Sequence, residues 1–350
     1  MCIQQPSPQF RAKHYIRLAI MKILVTGAAG FVGTAFIQMA LKSGAEVVGY
    51  DIDDRFQRLS RSGIDRNARF RFCRMDLSKN TPSVDGDFSY IVHLAALAHV
   101  DYSMLFPEES LRNNVTSTIN MLGLARSKAL PLLFASSVEV YGNTHGNTAV
   151  NEEYSRTGMS PYALSKILCE DICVYYKQKH ELDITIVRFT NLFGPWQSPD
   201  RVIPRSVLRM QDNFGVRVDL GRVRDFLYVD DAVEAIWRAI NEKTEIGIFN
   251  VSTGFDREIS EVILWIKDYM QSSNALAIEV PSEKDGRGLR LVASPERARV
   301  VLGWAPQCDF HEALKQTVDW YLANQDWANQ FRGMVWEADR SKYLIDRPPL

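Results

Sequence analysis

A chain of 350 residues is long enough for one large domain or two ordinary ones, at roughly 100–200 residues each. Hydrophobic residues at 46% and charged residues at 24% exclude wholesale disorder. With 41 basic and 42 acidic side chains the net charge is −1, so there is no basic excess to neutralise a nucleic-acid backbone. No apolar run approaches the ~20 residues of a membrane-spanning helix. Five cysteines, odd in number and without a CxxC pair, fit reduced thiols in a cytoplasmic protein. The six histidines form no HxxxH or similar set, and Cys169 and Cys173 have too few neighbours of ligand type, so no metal is expected.

The first 20 residues mix Arg11, Lys13 and Arg17 with apolar side chains and lack the roughly 7–15-residue apolar core of a signal peptide. They read as an extension, and the fold starts at Met21. From there short β-branched runs alternate with longer helical stretches. Strands are predicted at Lys22–Thr26, Glu46–Tyr50, Arg69–Arg74, Tyr90–His93, Leu132–Ala135 and Ile184–Arg188. Helices are predicted at Val32–Lys42, Glu108–Lys128 and Tyr162–His180. This alternation specifies an α/β fold, a doubly wound parallel sheet with helices on both faces. Nearly continuous apolar strands such as KILVT agree with burial on both faces. After about residue 191 the regularity fails. Strands at Arg224–Val229 and Ile248–Val251 and helices near 231–242 and 257–272 suggest a smaller mixed lobe. The expected division is a dinucleotide-binding domain over 21–190, a second lobe over 191–335 and a polar tail over 336–350.

The segment TGAAGFVG (26–33) follows the first strand and opens the first helix. Gly27 permits a tight turn, Gly30 lets a diphosphate approach the backbone, and Gly33 allows close packing of helix on strand. Phe31 and Val32 begin the helix, whose first amides and dipole attract a phosphate. Asp51 ends the second strand about 20 residues on, where a carboxylate accepts from both ribose hydroxyls and repels a 2′-phosphate, so NAD is expected over NADP. Asp76, with Leu77 beside it, either reaches the adenine or caps a helix. Ala95 and Ala96, after the fourth strand, are small enough for a cofactor to lie on the backbone.

Tyr162 and Lys166 stand four apart, neighbours on one helix face at about 6 Å. For a phenol of pKa ~10 to act as a base near neutrality it must fall by roughly three units, about 4 kcal/mol. One ammonium at ~6 Å and effective dielectric ~20 supplies about 2.8 kcal/mol of this. A second charge, such as an oxidised nicotinamide, has to supply the rest. LLFASSVEVYG ends the fifth strand, so Ser136 and Ser137 lie where ligands bind such sheets, and Glu139 is a candidate acid/base.

TGAAGFVG, Asp51, HLAA (93–96), SSVEVYG (136–142), SPYALSK (160–166), RFTNLFGP (188–195) and RDFLYVDDAVEAI (224–236) occur in that order, and VVLGWAP (300–306) closes the series. Together they resemble the extended short-chain dehydrogenase/reductase family, more narrowly its NAD-dependent nucleotide-sugar epimerases and dehydratases. The resemblance implies that Tyr162 is the base and that Lys166 holds both Tyr162 and the nicotinamide ribose. It places Ser137 on the sugar's 4-hydroxyl, Asn191 at the diphosphate and Arg224 on phosphate, for which a bidentate guanidinium is suited. A further phosphate arginine is expected at Arg287 or Arg290. Family members begin by oxidising C4 of the sugar and then diverge. The resemblance leans to C4 epimerisation of a nucleoside diphosphate hexose. Glu139, HLAALAHVDYS (93–103) and GPWQSPDRVIP (194–204) look like a dehydratase, and uronate decarboxylation also stays open. Against dehydration, Val138 stands where an acid normally precedes the glutamate. A non-catalytic NAD-binding scaffold would have lost Tyr162 or Lys166, and both are present. The family also implies a homodimer through the two long helices, Glu108–Lys128 and Tyr162–His180.

Overall fold

The apolar runs become the strands of one parallel sheet: β1 (Lys22–Thr26), β2 (Glu46–Asp51), β3 (Phe70–Arg74), β4 (Tyr90–His93), β5 (Leu132–Ser137) and β6 (Ile184–Phe189), with Ile248–Val251 as a seventh. The computed structural model describes residues 20–54, 57–146, 148–241, 247–279 and 289–330. The expected extension up to residue 19, the tail from 336 and Arg287 lie outside the described residues. The sheet runs Ile248–Val251, β6, β5, β4, β1, β2, β3, every pair parallel. Strand order reverses at β1, which lies between β2 and β4, and the crevice beyond the carboxyl ends of β1 and β4 is where such sheets bind ligands.

The helices, in chain order, are α1 (Phe31–Lys42), α2 (Arg58–Arg61), α3 (Val100–Leu105), α4 (Pro107–Lys128), α5 (Pro161–His180), α6 (Val202–Gln211), α7 (Val229–Asn241), α8 (Ile259–Tyr269), α9 (Glu296–Val301), α10 (Phe310–Ala323) and α11 (Gln325–Asn329). On one face of the sheet α1 and α7 bury Phe36, Ile37, Ile236 and Trp304. On the other, α4 and α5 bury Met121, Leu122, Cys169 and Cys173. A separate apolar cluster joins α6, α8 and α10 beyond the sheet. The two long helices start where their sequence dictates. Pro107 and Pro161 open them with a preset φ, and the Ser160 hydroxyl caps α5 by accepting from the Ala163 amide at 3.1 Å.

Two expectations change after residue 191. The strand read over Arg224–Val229 is two short strands, Val223–Arg224 and Phe226–Tyr228, interrupted at Asp225. The Asp225 carboxylate is buried and accepts from the Thr253 amide and hydroxyl and from the Gly254 amide. The ladder breaks because Asp225 is tied to the loop after the seventh strand. The helix read from 257 starts at Ile259, since Arg257–Glu258 pairs antiparallel with Val223–Arg224.

Candidate active site

A cleft of about 470 Å³ opens at the switch point and collects residues from Gly27 to Ile259. Its dinucleotide end is shaped by missing side chains. Gly27 has φ +68°, and a Cβ there would lie 2.8 Å from the Ala95 amide nitrogen. At Gly33 a Cβ would lie 2.0 Å from the Gly27 carbonyl oxygen. Gly30 is the N-cap of α1 and offers no side-chain hydrogen bond, so the first-turn amides stay directed at the cleft wall that Phe31 and Val32 share. Asp51 also lines the cleft, and its carboxylate accepts from the amides of Ala29 (2.9 Å) and Ile52 (2.7 Å). Burial pushes the Asp51 carboxyl up to about 6, against the pull of those two amides. Asp76 and Leu77 reach the same wall as Ala95 and Ala96. Asp76 also closes a turn, accepting from the Ser78 amide (3.0 Å) and hydroxyl (2.6 Å) and pairing with Lys79. Asp76 thus caps a turn, where a helix cap was expected, while its residue still lines the cleft. Close backbone approach, open helix amides and an acid at the end of β2 fit a dinucleotide, and Gly27, Gly30, Gly33 and Asp51 would hold it.

At the centre of the cleft Tyr162 and Lys166 face each other on α5, the Nζ 6.0 Å from the tyrosine ring centroid. Lys166 donates to the Ala135 carbonyl at 2.7 Å and lies over the Phe134 ring at 4.7 Å. Burial draws its pKa down to about 8. The Tyr162 phenol is pushed up to about 12 by burial. A hydrogen bond with Ser137 opposes that, the Glu139 charge adds to it, and the Arg201 charge opposes it. The protein alone thus keeps the phenol protonated. The lowered pKa needed of a base requires the further positive charge that an oxidised nicotinamide would bring.

Ser137 ends β5 and its hydroxyl also accepts from the Glu139 amide at 3.2 Å. Glu139 lines the cleft on the short 3-10 turn Val138–Tyr141. Val138 is buried and packs with Val140, Val150, Leu291 and Ala293. Ser136 lines the cleft as well; its hydroxyl donates to Glu170 at 2.5 Å, and Glu170 is gripped by Arg188 at 2.7 and 2.9 Å. With its proton committed there, the Ser136 oxygen can meet a ligand only as an acceptor. Asn191 and Arg224 both line the cleft. Arg290 does not. It pairs in register with Val223, one residue out of step with Arg224, and so takes the opposite face. There it binds Asp256 (2.7 Å), Thr144 and the Thr148 carbonyl.

The structure adds cleft residues that the motifs did not single out: His99, Asp200, Arg201, Arg205 and Arg222. Arg222 was detectable, since in GRVRDF it precedes Arg224 by two residues and so shares its face. It is buried 3.4 Å from Asp219. His99 accepts from the Tyr102 amide through Nδ1, capping α3, and its Nε2 is hydrogen-bonded to Asp200. Burial would raise the Asp200 carboxyl, but His99 and Arg201 hold it well below the usual carboxylate range. The segments carrying this pair, 93–103 and 194–204, stood out in the sequence as blocks without showing which residues meet.

A parallel sheet with a glycine turn at its switch point and a Tyr–Lys pair on the helix beside it defines an extended short-chain dehydrogenase/reductase architecture. The chain belongs to the NAD dependent epimerase/dehydratase family, whose sequence pattern matches residues 23–252, and it is an NAD-dependent enzyme. It is 30% identical to a dTDP-glucose 4,6-dehydratase of Streptomyces griseus over 320 residues, 87% of this chain and 95% of that one. It is 28% identical to a probable dTDP-glucose 4,6-dehydratase of Sinorhizobium fredii over 345 residues, 91% of this chain and 98% of the relative. Among solved structures it resembles UDP-glucuronic acid 4-epimerase from Bacillus cereus in complex with UDP-glucuronic acid and NAD, with TM-score 0.79, 28% identity and coverage of 87% and 99%. It is equally similar to a dTDP-glucose 4,6-dehydratase from Streptomyces venezuelae with NAD and TYD bound, with TM-score 0.79, 26% identity and coverage of 88% and 98%. No described helix is long and apolar enough to cross a membrane.

Proposed function

We propose that the enzyme removes water from a nucleoside diphosphate hexose after transient oxidation at sugar C4. The observation that carries this reading is Glu139, a carboxylate on the cleft wall whose charge bears on the Tyr162 phenol. An enzyme that only inverts C4 gains nothing from a carboxylate there, and that charge makes its base harder to ionise. NAD, held at Gly27, Gly30, Gly33 and Asp51, would supply an acceptor and donor of hydride for the sugar. Tyr162 receives the proton of the C4 hydroxyl, Ser137 holds that hydroxyl by hydrogen bonding, and Lys166 fixes the phenol's surroundings. Once C4 is a ketone the C5 proton is acidic, and Glu139 removes it. Val138 has no proton to give, so the carboxyl formed on Glu139 delivers the same proton to the C6 hydroxyl, which departs as water. Glu139 thus moves one proton from C5 to O6 and leaves a C5=C6 double bond beside the ketone. The balance closes when the hydride taken from C4 is added at C6 and one proton, in sum the one Tyr162 took from the C4 hydroxyl, is added at C5. Arg222 and Arg224, with Asn191 beside them, suit the diphosphate.

The dTDP-glucose 4,6-dehydratases among the relatives support this reading. Val138 favours a second, C4 epimerisation, which needs no acid at that position, and the Bacillus cereus 4-epimerase among the neighbours agrees with it. Incubation with a panel of nucleotide sugars and catalytic NAD, read by mass spectrometry, separates them. Elimination loses the mass of one water, whereas epimerisation leaves the mass unchanged with a new retention time. Glu139→Gln should slow an eliminating enzyme by about 10²-fold or more and leave an epimerising one nearly untouched. A homodimer through α4 and α5 fits the apolar side chains these helices expose, Ile119, Leu164, Leu168 and Tyr175, and light scattering after size-exclusion tests it. A cytoplasmic setting suits Cys73, Cys169, Cys173 and Cys308, none of which forms a disulfide.

A further inference from the structure

Arg58 is a buried cation that the chemistry above does not use. Its residue is 1% exposed, on the four-residue helix α2. A guanidinium is retained in such a place only where its N–H groups find partners. Nε donates to the Trp196 carbonyl at 2.9 Å and Nη1 to the Ala29 carbonyl at 3.3 Å. The head group lies 5.7 Å from the Trp327 ring. Burial lowers its pKa to about 10, against the pull of Tyr321, Asp54, Asp51 and Asp200, so it stays cationic at neutrality.

These contacts join three pieces far apart in the chain. Ala29 belongs to the glycine turn, and its amide is already held by Asp51, so Arg58 and Asp51 secure the residue from both sides. Trp196 has φ +68°, the left-handed region that a non-glycine residue occupies only when its surroundings enforce it. Here the enforcement is visible. Its carbonyl is bound by Arg58, its ring packs on Trp320 at 4.7 Å and Trp327 at 5.4 Å, and the next carbonyl, of Gln197, accepts from the Tyr321 phenol at 2.5 Å. Four and five residues on, the same segment reaches the cleft as Asp200 and Arg201. Asp200 bonds His99, and Arg201 donates to the Ala98 carbonyl at 2.6 Å. The segment 194–201 is therefore fastened through Arg58 to the glycine turn and through Asp200 and Arg201 to the loop after β4.

We infer that Arg58 is a positioning residue that couples the glycine turn to the segment 194–201, so that NAD seated on the turn orders the segment presenting Asp200 and Arg201 to the cleft. This goes beyond the choice between elimination and epimerisation and needs only the NAD dependence of the family. The test is hydrogen–deuterium exchange by mass spectrometry on the full chain, before and after saturation with NAD, in wild type, Arg58→Met and Arg58→Lys. In wild type NAD should slow exchange both in 27–33 and in 194–201. In Arg58→Met, saturated with NAD, protection of 27–33 should persist while protection of 194–201 falls by about tenfold or more. Lysine keeps the charge but cannot span both carbonyls, so Arg58→Lys should lose at least about threefold of it. If Arg58→Met does not fold, Arg58→Lys alone decides. Undiminished NAD-induced protection of 194–201 in whichever variant folds, or none in the wild type, overturns the inference.

Discussion

At one end of the cleft Gly27, Gly30 and Gly33 make room for a ligand by what they lack. At the other end Arg201, Arg222 and Arg224 present charge on long side chains. The first end is built from backbone: a turn of eight residues, one helix N-terminus and one carboxylate at a strand end. Its tolerance is small, because added atoms meet main chain that cannot move. The second end is built from side chains that arrive from separate segments and are held by distant partners, as Arg201 is by Ala98 and Arg222 by Asp219. Fixed backbone suits a cofactor that is always the same molecule. Side chains on loops suit a substrate whose identity differs among the relatives, and they are the easier part to retune.

The contrast can be broken most severely at Gly33. Gly33→Ala places a methyl 2.0 Å from the Gly27 oxygen, so α1 must shift. We expect a loss of ~3 kcal/mol or more in stability together with loss of NAD, measured by thermal melting and by cofactor content. Next is Tyr162→Phe. It should lower turnover by about 10³-fold while NAD stays bound, because the ring still fills its buried site. Retained activity would remove Tyr162 from the chemistry. A smaller and pH-dependent effect is expected at Asp51, whose carboxyl is raised to about 6. Below that pH it is protonated in the folded chain and can no longer accept from two hydroxyls. NAD affinity should therefore weaken as pH falls through about 6, and Asp51→Asn should flatten the profile in fluorescence titrations. A wild-type affinity independent of pH would detach Asp51 from the ribose. The smallest effect is expected at Arg290, which stands outside the cleft and whose partner Asp256 is about half exposed. Arg290→Met should cost about 1 kcal/mol or less and leave KM unchanged, whereas Arg224→Met should raise KM.

The strands of the sheet were legible almost to the residue, because a strand buried on both faces is a continuous apolar run. The glycine turn, Asp51 and the Tyr162–Lys166 pair were legible for a related reason: each is a local pattern whose spacing is set by the geometry of one turn or one helix. Arg290 was misplaced because the face its side chain takes depends on the register against Val223, and the partner of the Ser136 hydroxyl, Glu170, was hidden because it lies 34 residues away. The break at Asp225 escaped for the same reason, since its cause is the loop at Thr253 and Gly254.

What the sequence by itself determined was the dinucleotide half: which strands form, where the phosphate turn falls, and which tyrosine and lysine share a helix face. These are contacts between residues near in the chain, fixed by backbone periodicity. What only the tertiary structure decided was the company those residues keep. The phenol's proton is held by burial and by Glu139, Asp200 is paired with His99, and Arg58 ties Ala29 to Trp196, which stands 138 residues beyond Arg58 in the chain. Desolvation and charge pairing depend on distances through space, and those exist only once the chain has folded.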